Sequence, residues 1–370
     1  MNIDQIEVAG FKSVARLKLR QLKPYSVFAG PNGSGKSNLM DALAFVSAVI
    51  ELGAVKAIRK FRGFPQIHCY KLRRNNARTF EFDIHATMNE QKLAYSLKIH
   101  DLHLNPQLEE RLTVDGEILL SRKKGGVPTI TKEDGNKSII DVLPSDYSAL
   151  MFVQSVPLHK YLTNIQVFRF DPMGAKEPDA SSFDATVLDS HGHNVATMLA
   201  TLEKNEEFRA QVTDWMTLLV PGMEQVRTEP ERLSGGTVIK FKEYGIKSHF
   251  PANLISDGTI YALCIMTAVL SRSKGYGITL IEEPERGIHP KGIEALVDLM
   301  RENATPEHPV FVTTHSESLV RASSVEELWL VNKMEGKTVA KNAAENSADI
   351  GQLNLDTAWL MNLFDGGLPW

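Results

Sequence analysis

Residues Gly30 to Ser37 read Gly-Pro-Asn-Gly-Ser-Gly-Lys-Ser, directly after the apolar stretch Tyr25-Ser-Val-Phe-Ala29 and directly before the helical pattern Asn38-Leu-Met-Asp-Ala-Leu-Ala-Phe-Val-Ser47. A strand feeding a glycine-rich loop that opens a helix restricts the chain to an α/β architecture with a phosphate site at the strand end. Glycines let backbone N–H groups curl around phosphate oxygens, and the helix start adds its positive dipole end. In such a loop Asn32, Gly33, Ser34, Gly35 and Asn38 line the phosphates, Lys36 reaches the terminal ones, and the Ser37 hydroxyl can ligate Mg²⁺. The expected ligand is therefore a nucleoside triphosphate with Mg²⁺.

The chain has 370 residues, 43% hydrophobic and 23% charged, with a net charge of −4. These values suit a globular chain with a sizeable core, and the length allows one large α/β unit or two to three domains. Basic clusters at Arg59-Lys60-Arg62, Lys71-Arg73-Arg74 and Arg122-Lys123-Lys124 read first as solvated loops, with a nucleic-acid backbone as the sharper alternative. Two cysteines, Cys69 and Cys264, argue for a reducing compartment and against a zinc or disulfide scaffold. The N-terminus lacks a signal-peptide pattern, and the longest apolar run, around Ala262 to Leu270, is too short to span a bilayer. The expectation is a cytoplasmic protein with no membrane contact.

Further along, Ile278-Thr-Leu-Ile-Glu-Glu-Pro-Glu285 is an apolar strand ending in acids. That pattern puts Glu282 and Glu283 at the carboxyl edge of the sheet, Glu282 to hold Mg²⁺ and Glu283 to polarise an attacking water. Val310-Phe-Val-Thr-Thr-His-Ser316 is a second such strand, and its His315 can contact the γ-phosphate or position the water. Two short segments offer a serine and glycine. Leu233-Ser-Gly-Gly-Thr237 leads into a strand pattern, whereas Ile255-Ser-Asp-Gly-Thr259 opens an apolar helix, the better anion site. The remaining pattern predicts strands between Ile3 and Leu19 and from Thr79 to Arg122, helical spacing over Ser148 to Asp171, a loop over Pro172 to Phe183, and two helices over Thr186 to Val220.

With Val8-Ala-Gly-Phe-Lys-Ser13 at the start, the ordered motifs resemble the ABC-type ATPases of the RecF, SMC and OLD-nuclease class. The resemblance implies an ABC-ATPase head: a mixed or parallel phosphate-loop sheet, an antiparallel β subdomain and a helical signature subdomain. It implies a single head over 1–370, with a nucleotide-binding core at 1–170 and 275–345, a signature lobe at 171–274 and a tail at 346–370. It also implies two heads sandwiching two ATP molecules, so that Ser256 and Gly258 meet the γ-phosphate bound by the other copy. The Mg²⁺-sensing glutamine of that class is assigned to Gln154, with Gln66 as the lesser candidate; Arg73 or Arg74 could approach the nucleotide, and His289 stands where transporters place an Asp. Closer still, Val187 to Asn194 and Gly366-Gly-Leu-Pro-Trp370 resemble compact stand-alone AAA-family ATPases of bacterial anti-phage operons. No heptad rod interrupts the chain and about 25 residues follow the ATPase pattern, so the implied output is control of a separately encoded effector such as a nuclease. The alternative is a RecF-like repair factor that clamps DNA.

Overall fold

The computed structural model describes residues 1–73, 78–132, 134–179, 186–231, 235–345 and 353–364. Arg74, Leu233, Ser234 and the Gly366 to Trp370 ending lie outside the described residues.

The phosphate-loop strand sits inside a six-stranded sheet. Its order is β10 (Ile165–Phe168), β14 (Ile278–Glu282), β15 (Val310–Thr314), β3 (Tyr25–Ala29), β16 (Leu328–Met334) and β17 (Lys337–Asn342). All neighbours run parallel except the last pair. Every residue of β3 and β15 is buried, as expected for strands covered on both faces. Alternation along β3 sends Phe28 to one core, with Leu280, Phe311 and Trp329, while Val27 and Ala29 face the other, with Ile281 and Val312.

The first core is closed by an eight-stranded antiparallel sheet: β1 (Asn2–Phe11), β2 (Val14–Arg20), β4 (Phe80–Met88), β5 (Gln91–His100), β6 (Gln107–Val114), β7 (Glu117–Arg122), β8 (Thr129–Thr131) and β9 (Lys137–Ile139). Between the sheets lie α1 (Lys36–Leu52), α2 (Ala54–Lys60), α3 (Phe64–Ile67) and α4 (Leu158–Thr163). Phe45 of α1 packs edge-on against Phe80 and Phe61, with ring centroids 5.1 and 5.4 Å apart. Such pairs add to burial and fix where the helix crosses the sheet.

The second core holds α5 (Pro172–Lys176), α6 (Val195–Leu202), α7 (Glu206–Leu219), α8 (Asp257–Arg272), α9 (Pro290–Asn303), α10 (Glu317–Ala322) and α11 (Leu355–Leu360). A small sheet of β11 (Met223–Pro230), β12 (Thr237–Glu243) and β13 (Phe250–Pro251) packs beside α6 and α7. Thirteen residues of α8, from Gly258 through Leu270, are buried, so this helix is interior on nearly all sides.

Three sequence expectations need correction. The helical spacing over Ser148 to Asp171 hides the strand β10, because a four-residue buried run fits either period. Pro172–Lys176 is a helical turn rather than loop, started by Asp171, whose side chain accepts from the Met173 N–H. Arg122 is not a solvated loop cation: it is buried and donates to the carbonyls of Gly126, Pro144 and Tyr147.

Candidate nucleotide site

Parallel pairing brings the carboxyl ends of β3, β14 and β15 side by side, with Glu282 opposite Thr313 and Thr314 opposite Ala29. The phosphate loop, the acid pair and His315 thus share one sheet edge. A cleft of about 230 Å³ opens there, lined by Asn32, Gly33, Lys36, Ser37, Glu283 and Lys333, among others; Glu282 and His315 do not line it but touch Ser37 and Glu283, which do.

The loop is shaped for backbone approach. Gly35 has φ 103°, and a Cβ there would meet Thr338 Oγ1 at 1.9 Å; a Cβ on Gly30 would meet the Val331 carbonyl oxygen at 2.1 Å. Neither position admits a side chain. Lys36, 7% exposed, donates from Nζ to the carbonyls of Gly30 (2.7 Å) and Pro31 (3.0 Å). Burial lowers its affinity for a proton, against the pull of Glu283, Glu285 and Glu282. Ser37 Oγ donates to Glu282 Oε2 at 3.1 Å. A hydroxyl and a carboxylate so placed match what Mg²⁺ takes from a protein when phosphate oxygens and waters complete its shell. Among the described residues no cluster of three or more His, Cys, Asp or Glu side chains is built to hold a metal alone.

Glu283 follows with φ 50°, a left-handed conformation that costs a non-glycine residue about 1 kcal/mol or more. It is held by its N–H on the Thr313 carbonyl (2.9 Å) and by Tyr261 of α8, whose hydroxyl donates to the carbonyls of Glu282 (3.0 Å) and Glu283 (3.1 Å). The turn aims the carboxylate at His315, with Nδ1 3.3 Å from Glu283 Oε1. Two residues on, Glu285 is mostly buried and accepts from Thr314 Oγ1 at 2.5 Å. Burial pushes its carboxyl up, against the Thr314 hydrogen bond.

Gln154 is exposed, past a 3-10 turn over Leu150–Phe152, and does not line the cleft. Gln66 and Arg73 are likewise exposed and outside it. The residue that follows β10 at the sheet edge is Arg169. Its NH2 donates to Glu282 Oε1 and to Asp41 Oδ1, both at 2.6 Å, and Lys12 Nζ reaches the other Asp41 oxygen at 2.5 Å. Although burial opposes the charge, these carboxylates raise the hold of Arg169 on its proton. The chain from Lys12 through Asp41, Arg169 and Glu282 to Ser37 was not read from sequence. Its signal was the short apolar run Ile165–Phe168 ending in an arginine. Thr338 was missed too: it exchanges a 2.7 Å hydrogen bond with Ser13 Oγ, donates to the Ser34 carbonyl at 3.2 Å, and Ser13 in turn accepts from Asn38.

Ser256 caps α8, accepting from the Thr259 N–H, and is exposed. Gly258 is buried against Gly287, which stands at φ 73° in the turn after the acids. His289 caps α9 through Nδ1. None of these three lines the cleft of the same chain.

The chain is similar to several known proteins. A family model described as "AAA domain, putative AbiEii toxin, Type IV TA system" matches residues 26–321. Two archaeal chromosome partition proteins Smc are similar over short stretches. That of Methanocaldococcus jannaschii is 38% identical over 68 residues, and that of Thermoplasma acidophilum 47% over 58. These stretches cover 18% and 15% of this chain but only 6% and 5% of those relatives. Among solved structures, an Smc head bound to the C-winged helix domain of ScpA superposes with a TM-score of 0.60 at 14% identity, covering 97% of this chain and 100% of that one. An Smc head with an extended coiled coil, bound to the C-terminal domain of ScpA derived from Pyrococcus furiosus, gives 0.56 at 15% identity, covering 97% and 98%. The fold is that of an Smc head, and the chain belongs to the family described as AAA domain, putative AbiEii toxin, Type IV TA system.

Proposed function

We propose that this chain binds ATP with Mg²⁺ in the cleft and hydrolyses it as a dimeric switch, two copies closing over two nucleotides. The observation that carries this reading is the meeting of Ser37, Glu282, Glu283 and His315 beside Lys36 at one sheet edge. Asn32 through Asn38 cradle the phosphates, and Lys36 serves the terminal ones. Ser37 and Glu282 would hold Mg²⁺, which would neutralise phosphate charge when bound. Glu283 accepts the proton of the attacking water, and His315, in contact with its carboxylate, orients it. Gln154 is exposed and outside the cleft lining, whereas Arg169, also outside it, pairs with Glu282.

Ser256, exposed at the start of α8, and the backbone of Gly258 offer an anion site to the nucleotide of the second copy. On this reading 171–274 form the signature lobe, 1–170 with 275–345 the nucleotide core and 346–370 a tail. The output is control of a partner effector, such as a nuclease, in the cytoplasm during phage infection. Support for that step is the toxin–antitoxin description of the matched family, a warrant by association. Among the described residues no helix is long and apolar enough to cross a membrane.

The test is native mass spectrometry of Glu283→Gln with ATP and Mg²⁺, alone and with the neighbouring gene product. A long-lived ATP-bound dimer with lost turnover is expected, and unchanged turnover would remove Glu283 from the chemistry. A second reading, a head that clamps DNA, is favoured by the chromosome-partition relatives. An ATP-dimer that captures duplex DNA and ignores the neighbour would establish it.

A further inference from the structure

Residues 53–78 contain eight cations and no acid in a chain of net charge −4, so everything outside that segment sums to −12. Arg59, Lys60, Arg62, Lys71 and Arg73 are exposed, and among the described residues none of them makes an ion pair. Within this basic stretch the rings form a row. Phe64 stacks on His68 with centroids 4.6 Å apart and planes at 17°; His68 meets Tyr70 at 3.9 Å; Phe64 meets His103, from the loop after β5, at 4.9 Å.

Hydrogen bonds hold the row in place: His68 Nδ1 lies 3.0 Å from the Phe64 carbonyl oxygen, and Tyr70 donates to the Pro65 carbonyl at 3.1 Å. Tyr70, at one end, is 73% exposed, and His103, at the other, is exposed too. A lone exposed aromatic needs no explanation. A row of touching rings, one pair stacked and two tilted at 55° and 37°, with open ends amid cations that make no ion pair is what a single-stranded nucleic acid uses: bases pack on the open ring faces while phosphates meet the lysines and arginines. A duplex keeps its base faces covered and could use only the charge.

We propose that the Phe64–His68–Tyr70 row and its flanking cations form a binding platform for single-stranded nucleic acid. The platform is rooted next to the phosphate loop, since the Lys12 N–H donates to the Ile67 carbonyl at 2.8 Å and Phe11 bridges to His68. It goes beyond the ATPase reading and does not rest on turnover, so it is measured without nucleotide.

The experiment is fluorescence anisotropy with labelled single-stranded oligonucleotides, DNA and RNA, of roughly 20 nucleotides, a duplex of the same length, and vesicles of anionic lipid as competitor, at about 50 and about 200 mM salt. Tyr70→Ala should weaken single-strand binding about 10-fold or more while Tyr70→Phe retains it, given stacking of about 1–3 kcal/mol per base. An Arg59→Glu, Lys60→Glu double variant should weaken binding and flatten its salt slope by about 0.7 for each phosphate no longer neutralised. Matching thermal melts confirm that the variants fold. No binding at the lower salt overturns the platform. So does equal binding of duplex and single strand that ignores Tyr70→Ala, or displacement by vesicles but not by unlabelled oligonucleotide. A preference between the DNA and RNA arms identifies the sugar.

Discussion

Replacing Gly258 with alanine tests whether the first turn of α8 and the turn after the acids form one rigid unit. A Cβ there would stand 1.9 Å from the Gly287 carbonyl oxygen and 2.8 Å from its carbon. Side-chain carbons do not approach an oxygen much closer than about 3 Å, so one partner must yield by about 1 Å. Neither yields cheaply: α8 is buried from Gly258 through Leu270, and Gly287 is already held at φ 73°. Overpacking of this kind costs about 1–3 kcal/mol, partly offset by about 1 kcal/mol from the better helix propensity of alanine. The net expectation is a loss of about 0–2 kcal/mol in urea unfolding without nucleotide, where the closed dimer plays no part. Displacement would also pass to Glu283, through the same turn and through Tyr261, so turnover should fall more than stability does. A variant as stable and as active as the parent would refute the coupling of helix and acids.

Thr338→Ala removes two buried hydrogen bonds behind the phosphate loop, and nucleotide affinity measured by calorimetry should fall by about 1–2 kcal/mol with the fold retained. Arg169→Ala strips the shared guanidinium from Asp41 and Glu282; since that side chain is 42% exposed, the loss should be near about 1 kcal/mol and shrink in high salt, whereas Gln154→Ala should change neither stability nor nucleotide binding. His308, buried against Thr279 and beside Arg272, has its pKa lowered to about 4 by burial and then by that cation. The unfolded chain therefore takes up the proton first, and stability is lost as pH falls from about 6.5 through about 4, by at most about 3 kcal/mol. His308→Gln should flatten that limb of a pH titration of unfolding. Glu285 runs the other way: with its carboxyl raised, stability falls as pH rises through its titration, so Glu285→Gln should raise the unfolding midpoint at about pH 7 to 8 and lose the advantage near the ordinary carboxylate range.

What the sequence disclosed depended on how local each signal was. Gly30 to Ser37, Glu282, Glu283 and His315 each announce themselves within one strand and the residues after it, so their shared edge follows from parallel pairing alone. Arg169 escaped because its role depends on β10 lying beside β14, more than a hundred residues on, and Ile165–Phe168 alone reads equally as buried helix. Thr338 and Lys333 escaped for a similar reason: β16 and β17 carry no motif, and only the fold lays them against the loop. The aromatic row required the structure to show that Phe64, His68, Tyr70 and His103 touch, though the basic clusters around it were plain in the sequence.

On the proposed role of Glu283, its left-handed backbone sets stability and activity against each other at a single position. Glycine would relax that conformation, and the protein should gain about 1 kcal/mol while losing the carboxylate. Screens that select only for thermal tolerance should therefore enrich Glu283→Gly, a folded, hardier and inert chain. Survival of the acid under such selection would mean that its neighbours, Thr313 and Tyr261, hold the strained turn more firmly than the backbone resists it.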